Sequence, residues 1–172
     1  MTGTFIIALL ALVISTASLT WQVVQFILGA SRPRVGLMIG GMNANGAVTA
    51  PVKGFRLEQL VRQGCSTPIL AVQVQNRGRL AVSVTNWSIS FDNKASYTLP
   101  SWQPNDRVSL PCRLEPGAEV TFLCPLDEVD AASRLLQASS KPPKWCQASA
   151  SFGSGKTVRS RTHLPIPIRT SG

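Results

Sequence analysis

No charged residue and no proline occurs before Arg32 in this 172-residue chain. A stretch that lacks both cannot be an exposed loop or an ordinary surface helix. Histidine is nearly absent as well: His163 is the single one, close to the C-terminus. That scarcity argues against a Ser-His-Asp arrangement and against zinc sites that draw on imidazole. The four cysteines, Cys65, Cys112, Cys124 and Cys146, include no Cys-x-x-Cys pair, so the close ligand spacing of a structural metal site is missing too. Acidic residues number only 8, and they fall in turns and at one helix start, where capping and the helix dipole account for them. No catalytic residue, cofactor or metal ligand is therefore assigned, and the chain is read as a non-enzyme.

What the first 31 residues do contain is apolar. From Phe5 to Leu28 the chain runs almost entirely in Phe, Ile, Leu, Val, Ala and Trp, which as a helix covers about 36 Å against a hydrocarbon core of about 30 Å. Residues 1–31 are read as a transmembrane anchor, residues 32–163 as a folded domain and residues 164–172 as an extended tail. Ser15-Thr16-Ala17 resembles a signal-peptide cleavage site, but no Lys or Arg precedes the run and it continues past Ala17, which favours a retained span. Arg32 and Arg34 follow the span while Met1–Thr4 carries no basic side chain, so the positive-inside rule puts the C-terminal domain in the cytoplasm of a single-pass cell-membrane protein. The even cysteine count argues the other way, for an oxidising compartment and disulfides.

The anchor has a face. Ala8, Ala11, Ser15, Ser18, Gln22, Gln25 and Gly29 recur at spacings of three and four, all small or polar. In lipid, such a stripe lets two helices approach and hydrogen-bond across the contact. It predicts self-association or docking on another membrane helix. Trp21, Arg32 and Arg34 are the expected membrane-interface residues. The net charge of +9 lies wholly after the anchor. It suits anionic lipid headgroups; the basic residues are too scattered to suggest nucleic acid.

After the anchor, alternating apolar and polar residues dominate. Val35–Met42 and Ala47–Val52 flank Asn45-Gly46, a hairpin-turn dipeptide. Phe55–Gln63 reads equally as a helical turn or a strand. Leu70, Val72 and Val74 alternate with polar neighbours; beyond Asn76-Arg77-Gly78-Arg79, Leu80, Val82 and Val84 continue on the inside. The inward phase then moves to Trp87, Ile89 and Phe91, which needs one extra residue near Thr85-Asn86, a β-bulge. Tyr97–Leu99, Val108–Leu110 and Glu119–Cys124 are further strand candidates. Leu126–Ala138 predicts a helix with Leu126, Val129, Leu135 and Leu136 on its buried face. Trp145–Phe152 and Lys156–Arg161 complete the strands, joined at Gly153-Ser154-Gly155. The sequence Ala150–Thr157 fits a permissive phosphate-loop pattern, but too little chain follows for a nucleotide-binding sheet, so a hairpin turn is expected there. About seven short strands with one connecting helix predict an all-β, immunoglobulin-like antiparallel sandwich.

The hairpin Asn76-Arg77-Gly78-Arg79 together with the later Leu114-Glu115-Pro116-Gly117 turn resembles uncharacterised bacterial and phage membrane-anchored proteins with immunoglobulin-like sandwiches, over residues 68–161. The resemblance rests on turn chemistry and implies the fold but no activity. The expected role is that of a non-catalytic interaction or scaffolding protein on a bacterial membrane, of bacterial or phage origin. The alternatives are an envelope-binding module outside the membrane with disulfides formed, or a membrane-bound enzyme whose site has no sequence signature.

Overall fold

The computed structural model describes residues 2–44, 46–52, 64–98 and 109–167. An N-terminal helix, α1 (Thr2–Gly29), leads after three residues into strand β1 (Pro33–Asn43). β2 (Gly46–Pro51), β3 (Thr67–Asn76), β4 (Val82–Phe91), the two-residue β5 (Ser96–Tyr97) and β6 (Cys112–Leu114) follow. The chain ends with β7 (Glu119–Pro125), helix α2 (Leu126–Gln137), β8 (Trp145–Phe152) and β9 (Thr157–Pro165).

The strands form two antiparallel sheets, one in the order β2-β1-β3-β7 and the other β5-β4-β8-β9, with β6 also paired to β4. Two sheets arise because alternating residues give each strand one apolar face, and two such faces can only be buried against each other. Leu37, Leu70, Val72 and Phe122 come from one sheet, and Val84, Trp87, Ile89 and Phe152 from the other, into one core. The Trp87 and Phe122 rings stack across it, centroids 5.5 Å apart with 16° between planes. β4 carries a register shift between Val84 and Asn86, the bulge that the change of phase requires. β3 departs from simple alternation: Ile69 and Ala71 are fully buried along with Leu70 and Val72, so its first half has no wet face.

Four expectations change. The candidate strand at Val108–Leu110 is replaced by β6 at Cys112–Leu114; Val108 itself lies outside the described residues, as do Leu99 and Phe55–Gln63. Asn43 pairs with Gly46, so Gly46 opens β2 instead of sitting in the turn. Within this pairing Gly40 lets β2 approach closely: a Cβ there would lie 2.9 Å from Thr49 Cα and closer still to the Val48 carbonyl. Leu135 is 80% exposed, because it stands half a turn away from Leu126 and Val129; Ser133 occupies the buried face instead. β9 also runs on to Pro165, and Leu164, in the stretch read as tail, is buried in the core.

Three turns meet at the end of the sandwich where β1 begins, around the buried amide of Asn76. Asn76 Nδ2 donates to the carbonyls of Leu80 (2.8 Å) and Leu114 (3.2 Å), and Oδ1 accepts from Gly78 N at 3.0 Å. Its main chain pairs with Ala118 O and Gly117 N. Removing the side chain strands the Leu114 carbonyl and the Gly78 amide in a buried site, at about 1–3 kcal/mol for each, and loses the bond to the part-buried Leu80 carbonyl. Asn76→Ala should therefore lower unfolding free energy by about 3 kcal/mol or more in urea titrations. Asn76→Asp should do no better, since a carboxylate cannot donate to the two carbonyls.

Candidate functional site

The exposed part of this chain that most demands a partner is α1. Gly3–Gln25 forms a 23-residue apolar stretch with a mean hydropathy of 2.1, long and apolar enough to cross a membrane, and none of it is buried against the rest of the chain. Twelve of its large apolar side chains, from Phe5 to Val24, are exposed. At about 1.5–3 kcal/mol for each, covering them is worth on the order of 20–30 kcal/mol. A helix that is apolar all round and wholly uncovered belongs in lipid or against another apolar surface.

The seam residues Ala8, Ala11, Ser15, Ser18, Gln22, Gln25 and Gly29 all lie on this one helix, within an arc of about 100°. Ala8 to Gln25 are exposed and Gly29 is half-buried. Off the seam, Thr16 and Thr20 turn back on their own helix: Thr16 Oγ1 donates to Leu12 O at 2.6 Å and Thr20 Oγ1 to Thr16 O at 2.8 Å. These hydroxyls are satisfied internally. Trp21 is 61% exposed, about two turns before the helix ends at Gly29.

Arg32 and Arg34 flank the exit, both exposed. Residues 77–81 are not the hairpin turn expected there but a connection that crosses between sheets, since β3 and β4 do not pair, and the exit is held to it: Arg77 N donates to Arg32 O at 3.1 Å. Gly78 lies so close beneath it that a Cβ would stand 2.6 Å from Ser31 Cα and 2.5 Å from Ala30 O. Only glycine admits that approach. This contact is invisible in the sequence beyond the Asn-x-Gly turn signal. Leu80, expected on the inside, is 60% exposed, because β4 begins only at Val82 and Leu80 belongs to the connection.

At the other end of the sandwich, a groove of about 340 Å³ runs between β5 and α2, lined by Phe91, Tyr97, Glu128, Ala132 and Leu136. Tyr97 Oη donates to Glu128 Oε2 at 3.0 Å. Burial, then that bond, push the phenol up to about 12. The groove could take an apolar group but presents no acid–base pair poised near neutral pH.

Other polar constellations are internally paired. Ser149 Oγ lies 2.7 Å from Ser88 Oγ and 2.8 Å from Ser90 Oγ, hydroxyl to hydroxyl, with no base among them. His163 sits on β9 with its ring 5.5 Å from that of Trp145. The phosphate-loop look-alike is the β8–β9 hairpin: Phe152 N donates to Lys156 O and Gly155 N to Phe152 O, with Gly155 at φ +78°. Among the described residues no three His, Cys, Asp or Glu side chains converge on a metal position.

All four cysteines are free thiols; Cys124 and Cys146 are buried, Cys65 and Cys112 half-buried. Burial pushes the Cys124 thiol up, helped by the Glu128 and Asp127 carboxylates. Burial alone pushes Cys146 up to about 12, and raises Cys112 as well. No family model matches the chain, and no curated protein matches it. Among solved structures the chain is similar to the X-ray structure of Northeast Structural Genomics Consortium target SoR45, at 12% identity over 82% of this chain and 90% of that one, with a TM-score of 0.28. At that score the likeness bears on neither fold nor function.

The thiols make stability depend on alkali. Above a pH of about 9 the unfolded chain releases protons that folded Cys124 and Cys146 retain, so stability is complete below that pH and falls as pH rises through it. The expected slope is about 1.4 kcal/mol per pH unit for each thiol. Urea midpoints measured between pH 8 and 11 should fall accordingly, with Cys112 and, above pH 10, Tyr97 adding to the slope, and Cys146→Ala should lower it by about 1.4 kcal/mol per pH unit.

Proposed function

We propose that this chain is a single-pass membrane protein whose β domain is an immunoglobulin-like sandwich, held against the bilayer surface and working without catalysis as an interaction or scaffolding module. The observation that carries the reading is the uncovered apolar helix α1, joined to β1 by only Ala30, Ser31 and Arg32.

The immunoglobulin-like reading draws on strand order. β1-β3-β7 in one sheet and β4-β8-β9 in the other follow the A-B-E and C-F-G arrangement of that fold. β4, in the position of strand C, contributes the buried tryptophan, and β8, in the position of strand F, contributes Cys146. The pairing that accompanies them in antibody domains joins strands B and F, and β3, in the position of strand B, has no cysteine. The basic flank at Arg32 and Arg34 favours the cytoplasmic side for the sandwich.

Two experiments test this. Alkaline carbonate should leave the chain in the membrane pellet, and Ser154→Cys, in the exposed β8–β9 turn, should react with an impermeant maleimide only after cells are lysed. Labelling of intact cells would reverse the orientation; release by carbonate would remove the anchor.

The seam is the proposed contact between anchors, either two copies or one copy and another membrane helix. Cysteines at Ala11 and Ser18 should crosslink in membranes several-fold faster than cysteines at Val13 and Val24 on the opposite face. Equal rates on the two faces would rule the seam out.

A further inference from the structure

We propose that the end of the sandwich surrounding the α1 exit is a binding surface for anionic lipid headgroups, built from Arg34, Arg77, Arg79 and Lys156 with Leu80 as an apolar contact. This rests on α1 being a membrane span.

The placement follows from lengths. If the hydrocarbon core ends where the apolar run does, at Leu28, the four residues Gly29–Arg32 carry the chain about 6 Å or more further. That is the depth of one headgroup layer, since the whole bilayer is about 40–45 Å thick around a core of about 30 Å. Ala30–Arg32 therefore leaves the helix at the level of the phosphates. The β3–β4 connection cannot sit elsewhere, because Arg77 N is bonded to Arg32 O and Gly78 is packed under Ala30 and Ser31.

Strand register brings the other elements to the same end. Pro33 stands opposite Asn76, Gln75 opposite Glu119, Val82 opposite Leu114 and Val84 opposite Phe152. Gly153 N donates to Ser83 O, which ties the β8–β9 turn and its Lys156 to the same rim. Among the described residues this end carries six cations, Arg32, Arg34, Arg77, Arg79, Arg113 and Lys156, against two carboxylates, Glu115 and Glu119. Glu115 is bonded to Arg113 at 2.9 Å. Among the described residues the opposite end is balanced, with Asp92, Asp127, Glu128 and Asp130 against Lys94, Arg134, Lys141 and Lys144, while Arg159 and Arg161 lie along β9 between the two ends. A scattered basic composition thus becomes one basic end in space, aimed where phosphates lie. Leu80, 60% exposed beside Arg79, has the amphipathic neighbourhood of a residue that dips into the interface.

The test uses the full chain in detergent, titrated with phosphatidylglycerol or phosphatidylcholine and read by native mass spectrometry. Wild type should retain phosphatidylglycerol about tenfold more tightly than phosphatidylcholine, as expected for several cations near an anionic surface. R77A/R79A should lose most of that preference and R77K/R79K should keep it, while K141A/K144A at the far end should match wild type. If R77A/R79A fails to fold, R34A/K156A carries the same expectation. Equal retention of the two lipids, or a preference unchanged in the alanine variants, overturns the proposal. A chain released by carbonate overturns the membrane reading itself; a chain that stays in the membrane without lipid preference overturns the headgroup surface alone.

Discussion

One buried amide organises the junction between helix and sandwich. Asn76 spends both its donor and acceptor atoms on main-chain groups of two turns, and its own backbone on a third contact. A side chain of that kind stabilises little if its bonds are compared with those to water, but leaves a large deficit when it is removed. Its neighbours Arg77 and Gly78 then grip the segment leaving α1. Helix, β3–β4 connection and the Leu114–Ala118 turn are thereby locked as one unit, and the basic rim is arranged around it.

The core supplies the rest of the rigidity. Trp87 and Phe122 stack between the sheets, and the bulge in β4 is what turns Trp87 inward after Val84. Without the extra residue, every side chain from Asn86 onward would face the other way. That shift also leaves Asn86 exposed, bonded through Oδ1 to Trp87 N at 2.8 Å.

Much of this was legible in the sequence where periodicity is long and clean. β8, α2 and the second half of β3 follow from runs in which one period dominates, α1 from an unbroken apolar run, and the β4 bulge from a change of phase. Short pieces were not legible: β6 has three residues beside Pro111, and its place depends on pairing with Val82–Val84 rather than on local propensity. Leu135 failed for a different reason, since helical phase excludes it from the face that Leu126 defines. The anchor face could be read because a helix's geometry is local. The basic end could not, because Arg34, Arg79 and Lys156 are far apart in the chain and meet only through strand register. Asn76 looked like a turn residue but closes β3, paired with Pro33; its burial is a tertiary fact.

The three-residue connection between α1 and β1 has a mechanical meaning. A long flexible linker would let a domain explore a hemisphere of space above its anchor. A strapped junction removes that freedom and leaves rotation about the helix axis as the main motion. On the proposed reading, the near end of the sandwich rests on the bilayer and its far end lies roughly a strand length away, about 33 Å for the ten residues of β3. The β5–α2 groove is then carried at a set height, and two copies joined along their anchors would hold their grooves at a set distance and angle. The protein would act as a bracket of fixed reach rather than as a tethered bead.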